Sequence, residues 1–259
     1  NYSIAPEVFR KLGCKLTAIS TSPDGININA DCGSTNPEKL QQAVISNGAQ
    51  LGISFDGDGD RLVLVDKKGR VLDGDDLLYT LISRNSINQQ SKSYRGIVGT
   101  LMTNKSLELF LMNEGIEFFR SDVGDKYVLR ALREKNWILG GEPSGHIICL
   151  DHTTTGDAIV ASLKLLDSLK ELDFDISKAL ENFIKLPQEL ISFELNEPTR
   201  ILMNSAVKSE ISKLENKLGE EGRVLIRPSG TENLLRVMIE ASTKELASNL
   251  ARELSDFIR

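Results

Sequence analysis

One stretch constrains this chain more than any other: Leu51-Gly52-Ile53-Ser54-Phe55-Asp56-Gly57-Asp58-Gly59-Asp60-Arg61-Leu62-Val63-Leu64-Val65. Two short apolar, partly β-branched runs flank it and read as buried strands. Its centre cannot be strand. Gly57 and Gly59 let the backbone turn sharply, and Asp56, Asp58 and Asp60 crowd three carboxylates into five positions. Held that close, like charges repel, and a hard divalent cation removes the cost. Oxygen-only donors from a single loop suit magnesium, which keeps open positions for water or phosphate.

Other readings compete. A solvated acidic turn is common for Asp-Gly pairs, but here the turn is framed by two apolar strands and followed directly by Arg61. An EF-hand loop would use Asp56, Asp58 and Asp60 as positions one, three and five. It then fails, because Arg61 stands where that loop needs Gly, Lys67 where it needs Glu, and a strand follows instead of a helix. An aspartyl nucleophile that takes a phosphoryl group stays open on this spacing alone.

A length of 259 residues predicts about two domains, with room for three small ones. A net charge of −6 argues against general nucleic-acid binding. No run is apolar enough to span a membrane and no leader is recognisable. Cys14, Cys32 and Cys149 are widely spaced and odd in number, which favours a reducing cytoplasm over a disulfide framework. The opening Asn1-Tyr2-Ser3, with no Met and no preceding strand, points to a piece of a longer chain.

Taken in order, Ser3 is expected to cap a helix that ends at Gly13. Residues 15–21 are expected to form a strand, and residues 23–25 a turn. Thr35 or Asn36 should cap a helix with Pro37 at its first position, running to about residue 47 and stopping at Gly48. Helix and strand then alternate, which predicts mostly parallel, buried sheets with ligands beyond the carboxyl ends of the strands. Residues 61–73 read as a hairpin and 88–95 as a loop. Residues 96–172 read as a second α/β segment of strands near 96–101, 116–120 and 147–150, with helices between and a long one after Asp157. Residues after 187 read as a small α+β segment, with strands near 190–195, 224–226 and 234–240 and helices near 204–218 and 243–258. The expected fold class is α/β: two mixed sheet domains, 1–66 and 67–186, followed by a small α+β domain, 187–259.

Three further clusters carry polar chemistry. Glu142-Pro143-Ser144-Gly145-His146 lies between apolar strands, and its donors and acceptors suit the hydroxyls or amine of a sugar, although a capped turn would look similar. Arg227-Pro228-Ser229-Gly230-Thr231-Glu232 follows a strand. A guanidinium fork, two hydroxyls and exposed N–H groups make a phosphate cradle, with Arg236 as a second cation. Gly124-Asp125-Lys126-Tyr127 opens a helix, where Asp125 is a cap in the simplest reading and Lys126 can reach a phosphate or a leaving oxygen.

These stretches, in this order, resemble the α-D-phosphohexomutase family. Asp56 to Arg61 resembles its magnesium loop, Gly141 to His146 its sugar-recognition loop, and Arg227 to Glu232 its phosphate-binding loop. Gly96-Ile97-Val98-Gly99-Thr100-Leu101-Met102, Val123 to Val128 and Thr153-Thr154-Thr155-Gly156-Asp157 are most similar to the branch that acts on glucosamine phosphates. The resemblance implies four domains, of which this chain matches the second, third and fourth. It implies a reaction in which a phosphoserine converts glucosamine 6-phosphate to glucosamine 1-phosphate through glucosamine 1,6-bisphosphate, feeding UDP-N-acetylglucosamine synthesis. Asp56, Asp58 and Asp60 would hold Mg2+. Arg61 would stand beside the transferred phosphate, and Lys126, His146 and Glu142 are the candidates for the general base, which the sequence does not choose between. Glu142 and Ser144 would grip the sugar. Arg227, Ser229, Gly230, Thr231 and Arg236 would hold the unreacting phosphate.

The expected partners are a hexosamine phosphate and the N-terminal phosphoserine domain, with no nucleic acid, no membrane, and allowance for a homodimer. Two departures stand out. Asn233 replaces the proline usual after the phosphate loop. The phosphoserine loop has only one look-alike, Ser34-Thr35-Asn36-Pro37, which reads as a helix cap. The chain alone is therefore expected to be inactive. Alternatives are a family member acting on mannose or glucose phosphates, and a non-catalytic sugar-phosphate-binding module.

Overall fold

The computed structural model describes residues 1–87, 94–195, 198–229 and 233–259. It divides into two compact units, residues 1–103 with 110–183, and residues 104–109 with 184–259.

The first unit opens with α1 (Ile4–Lys11), which buries Ala5 and Phe9. Ser3 is its N-cap residue, but its hydroxyl makes no capping bond. Residues 15–21 form no strand. Among the described residues no strand forms a ladder with this run, and Ser20 turns to φ 55°. The expected cap at Thr35 or Asn36 is also absent. Pro37 itself is the N-cap of α2 (Glu38–Asn47), without a side-chain bond, since proline's fixed φ already suits a helix entry. Gly48, at φ 59°, closes α2 in the left-handed region as expected.

Next come β1 (Leu51–Phe55), β2 (Leu62–Asp66) and β3 (Val71–Leu72), in sheet order β1-β2-β3. Both pairings are antiparallel, with Leu51 opposite Asp66 and Phe55 opposite Leu62. The parallel sheet expected here is thus corrected. A connection as short as the acidic loop can join only antiparallel neighbours. All five residues of β2 are buried. The carboxylate of Asp66 accepts from the N–H groups of Lys68 and Arg70, which closes the β2–β3 turn.

Beyond it lie α3 (Gly74–Ile87), β4 (Gly96–Thr100), α4 (Lys105–Asn113), β5 (Glu117–Ser121), α5 (Asp125–Lys135), β6 (Leu139–Gly141), β7 (Ile147–Cys149), α6 (Ala158–Leu169) and α7 (Ile176–Ala179). The sheet order is β5-β4-β6-β7. Here β4 runs parallel to β5 and β6, as the alternation predicts, while β7 returns antiparallel to β6. Val98, Val128, Leu132, Trp137 and Ile148 pack into one buried cluster. Asp157 caps α6 by accepting from the N–H groups of Ile159 and Val160. The expected cap at Asp125 is not made: Gly124 is the N-cap of α5, and Asp125 is its first residue. Of the loop expected at 88–95, residues 88–93 lie outside the described residues.

The second unit contains β8 (Gln188–Glu194), α8 (Pro198–Ile201), α9 (Ser205–Leu218), β9 (Arg223–Pro228), β10 (Leu234–Glu240) and α10 (Lys244–Ile258). Its antiparallel sheet runs β8-β10-β9. Alternate residues Leu235, Val237 and Ile239 share a core with Val207 and Leu214 of α9 and Leu250 and Leu254 of α10. This is the α+β pattern the sequence suggests. Among the described residues no helix is long and apolar enough to cross a membrane.

Candidate active site

The acidic loop starts where β1 ends. Asp56 is buried, and its Oδ1 accepts from the backbone N–H of Gly59 at 3.1 Å and of Arg61 at 3.0 Å. Gly59 takes φ 80°, which a side-chain-bearing residue adopts only under strain. Asn1 donates its amide to the Asp56 carbonyl, and Ala158 donates its N–H to the Gly59 carbonyl, so both shoulders of the loop are tied down. Each of Asp56, Asp58 and Asp60 offers a carboxylate oxygen, and these atoms lie within 4.8 Å of one another. Each like-charge pair at that spacing costs on the order of 3 kcal/mol at an effective dielectric of 20.

Arg61 offsets part of that repulsion. Its Nε stands 2.9 Å from Oδ2 of Asp56 and 3.6 Å from Oδ1 of Asp60. Neither approach is aligned as a hydrogen bond. Among the described residues these two buried oxygens have no hydrogen-bond donor. Two carboxylate oxygens that are ion-paired but accept no hydrogen bond, beside an exposed third carboxylate and with no nitrogen or sulfur in the set, fit a hard divalent ion such as magnesium.

The loop Glu142–His146 is held against the acidic loop. It joins β6 to β7, and its own turn closes through Gly145 N–H to the Glu142 carbonyl and Glu142 N–H to the His146 carbonyl, both at 3.0 Å. The Gly145 carbonyl accepts from Leu62 N–H at 3.0 Å, and Arg61 pairs with His146 as an isolated antiparallel bridge. Gly145 has φ 91°, and a Cβ there would run into the Leu62 carbonyl oxygen. His146 is buried, with Nδ1 3.1 Å from Oδ2 of Asp60. Glu142 is buried too, and its Oε2 accepts from Gly124 N–H at 3.0 Å. Burial pushes the Glu142 carboxyl above its ordinary value, against the opposing pull of the Gly124 N–H. Ser144 is exposed at the loop tip. The first unit thus brings together Asp56, Asp58, Asp60, Arg61, Glu142 and His146. Lys126 is exposed on α5, its ammonium 4.9 Å from the centre of the Tyr127 ring.

In the second unit Arg227 of β9 stands directly opposite Arg236 of β10. Side chains at paired positions share a face. Burial and the like charge of Arg236 lower the Arg227 guanidinium below its ordinary value. Nε of Arg236 is buried with no hydrogen-bond partner among the described residues. Ser229 N–H donates to the Leu234 carbonyl at 2.8 Å, holding the strands together where the loop begins. Gly230 and Thr231, the rest of the expected cradle, lie outside the described residues, as does Glu232.

Sequence reasoning passed over three contributors: Asn1, the N–H of Gly124, and Gly156, whose backbone lies against the His146 ring. The last two sit inside motifs already singled out, but their role depends on contacts between loops.

Family models of phosphoglucomutase/phosphomannomutase match residues 2–69 (α/β/α domain II), 73–186 (α/β/α domain III) and 190–257 (C-terminal domain). The chain belongs to this family, the α-D-phosphohexomutases. Among curated members, the chain is 45% identical over 258 residues to a phosphoglucosamine mutase of Acinetobacter baumannii, covering 100% of this chain and 57% of that protein. It is 47% identical over 254 residues to a phosphoglucosamine mutase of Aeromonas hydrophila, covering 98% and 57%. The chain therefore spans somewhat more than half the length of these relatives. Among solved family structures, N-acetylphosphoglucosamine mutase of Aspergillus fumigatus, in complex with GlcNAc-6P and magnesium, superposes with a TM-score of 0.72. It is 21% identical and covers 92% of this chain and 58% of that one, a likeness of fold.

Proposed function

We propose that this chain carries the metal, sugar and phosphate sites of a mutase that interconverts glucosamine 6-phosphate and glucosamine 1-phosphate. The carrying observation is the convergence of three carboxylates within 4.8 Å beside Arg61 of the same loop, with the loop that carries Glu142 and His146 docked against them. Identities of 45% and 47% to phosphoglucosamine mutases support the choice of sugar over mannose and glucose phosphates.

In this reading Asp56, Asp58 and Asp60 hold Mg2+, which when bound neutralises charge on a transferring phosphoryl group. Arg61 presents guanidinium N–H groups to the same phosphoryl oxygens. The phosphoryl group passes from a serine Oγ to O1 of glucosamine 6-phosphate, giving glucosamine 1,6-bisphosphate. The phosphoryl group at O6 then returns to the serine and leaves glucosamine 1-phosphate. Glu142 and Ser144 orient the sugar through its hydroxyls and amine. Arg227, Ser229 and Arg236, with Gly230 and Thr231, hold the phosphate that is not reacting. Lys126 is the candidate proton carrier for the attacking hydroxyl. We take the serine to belong to the family's first domain, and we read this chain as three domains bounded near residues 66 and 186. A cytoplasmic setting fits three cysteines that are all free.

The test is a mutase assay with glucosamine 6-phosphate, magnesium and a trace of bisphosphate. It is run on the chain alone and on the chain mixed with a phosphoserine-bearing first domain from a relative. Turnover only in the mixture, abolished by Asp58→Asn, is expected. Turnover by the chain alone would place the nucleophile within these 259 residues. Equal or higher kcat/KM for mannose or glucose 6-phosphate would refute the sugar assignment.

A further inference from the structure

We propose that Gly74 and Gly124 are positioning residues for Glu142: the start of α3 seats its peptide and the start of α5 seats its carboxylate, which together fix the direction from which Glu142 meets a sugar. The inference rests on the reading of Glu142 as a sugar ligand.

A helix leaves its first N–H groups without partners inside the helix. At the starts of α3 and α5 one such group from each reaches the same dipeptide, Glu142-Pro143. Asp73 and Asp76 close the entry to α3 reciprocally. Oδ1 of Asp73 accepts from the N–H groups of Asp75 and Asp76, and Oδ2 of Asp76 accepts from Asp73 N–H. Gly74 N–H lies between these groups and donates instead to the Pro143 carbonyl at 3.0 Å. At the start of α5 the Gly124 carbonyl accepts from the N–H groups of Tyr127 and Val128. The Gly124 N–H points the other way and donates to Oε2 of Glu142 at 3.0 Å. The positive end of α5 also favours a carboxylate at that place.

Both seats need glycine. A Cβ on Gly74 would collide with the Glu142 carbonyl oxygen and would come 3.1 Å from the Gly145 nitrogen. Gly124 has φ 129° and ψ 134°, a conformation that a side-chain-bearing residue does not adopt without strain. A Cβ there would also press on the Tyr127 ring at 3.3 Å. The helices behind the seats are anchored: Leu77, Leu78 and Ile82 of α3 and Val128 and Leu132 of α5 are fully buried. Glu142 is held from its own side too, because its N–H and carbonyl close the turn with His146 and Gly145. Its side chain is 8% exposed. With Oε2 taken by Gly124, Oε1 is the oxygen that meets a sugar hydroxyl or amine.

Titration calorimetry of the chain with glucosamine 6-phosphate tests this through a double-mutant cycle. Gly124→Ala and Gly74→Ala are each expected to weaken binding about 10-fold or more, the worth of a charge-assisted hydrogen bond. In a Glu142→Ala background, with no carboxylate left to position, Gly124→Ala is expected to change affinity less than about twofold, and Gly74→Ala to lose most of its effect. A merely structural role would give the same loss in both backgrounds, and that result, or native-like binding by both glycine variants, would overturn the inference. Thermal melting checks folding. If the glycine variants do not fold, Glu142→Asp decides: its carboxylate is one methylene short of Gly124, so binding as weak as that of Glu142→Ala is expected, and native-like binding would overturn the inference. If the native chain takes up no glucosamine 6-phosphate, or Glu142→Ala binds like the native chain, the sugar reading itself falls and takes this inference with it.

Discussion

The acidic loop of the first unit and the arginine pair of the second both gather like charge, but by different means. In the loop, sequence spacing does it: three carboxylates alternate with glycines over five positions. The backbone and Arg61 then cancel part of the repulsion. In the sheet, register does it: Arg227 and Arg236 are nine positions apart and meet because β9 and β10 pair antiparallel. Burial first and then the like charge of Arg236 lower the Arg227 guanidinium. Both regions leave buried polar atoms without a hydrogen-bond partner among the described residues. A ligand of opposite sign satisfies those atoms in the folded state only, so each region is expected to gain stability on binding. What differs is how much of the fold is lost when one charge is removed.

The largest effect is expected within the loop. Asp56→Ala removes the acceptor of two backbone N–H groups and strands Arg61 beside a buried site, at a cost of about 3 kcal/mol. Asp58→Ala removes an exposed carboxylate that only repels its neighbours. It is expected to end magnesium binding while leaving urea stability unchanged or slightly raised. Equal destabilisation by the two substitutions would make the loop a structural turn and break the comparison. Gly145→Ala comes next. Its φ of 91° and the Leu62 carbonyl at the Cβ position predict a loss of about 1–3 kcal/mol, with the sugar loop lifted off β2. A native-like melting curve would show that this docking is unimportant.

The arginine pair should behave in the opposite sense. Arg236→Gln relieves repulsion and frees no buried carboxylate, so the unliganded chain should melt no lower than the native one. Binding of a hexosamine phosphate, read as the ligand-induced shift in melting temperature, should weaken about 10- to 100-fold, the worth of a charge-assisted hydrogen bond. If Arg236→Gln lowers the melting point and leaves the shift intact, the pair is structural and the phosphate is held elsewhere.

This contrast also explains what could be read in advance. The acidic loop was legible because its chemistry is local: the ligand residues, the glycines that turn them and the strands that frame them lie in one stretch. The helices and strands of the later segments were legible for the same reason, through apolar periodicity and through caps such as Asp157. Misreadings arose where the outcome depended on a partner. Residues 15–21 have strand-like composition but, among the described residues, no strand to pair with. The antiparallel course of β1 and β2 follows from the shortness of the acidic loop, which outweighs the parallel order suggested by alternation. Thr35 and Asn36 are good capping residues, yet Pro37 takes the cap position. At the site, Glu142 and His146 were recognisable as polar residues between strands. Their pairing with Gly124 and Asp60 was not, because those contacts cross from one loop to another.

The smallest effect is the most discriminating for the sugar loop. Glu142 is subject to two opposed influences: burial favours its neutral form, and the Gly124 N–H favours its charged form. Burial is the larger, so its folded-state pKa lies above the ordinary value of 4.5. The folded chain then binds this proton more tightly than the unfolded chain. The associated stability is fully present below the ordinary value and is lost as pH rises through the raised one. Gln at this position cannot ionise, yet its side-chain oxygen can still accept from Gly124. The melting temperature of Glu142→Gln relative to the native chain should therefore climb as pH rises from the ordinary value through the raised one and level off above it, by a few degrees at most. A relative fall over the same range would mean that the Gly124 N–H outweighs burial. Glu142 would then enter the sugar site as a carboxylate already held charged, and its grip on a sugar hydroxyl at neutral pH would be that of an acceptor.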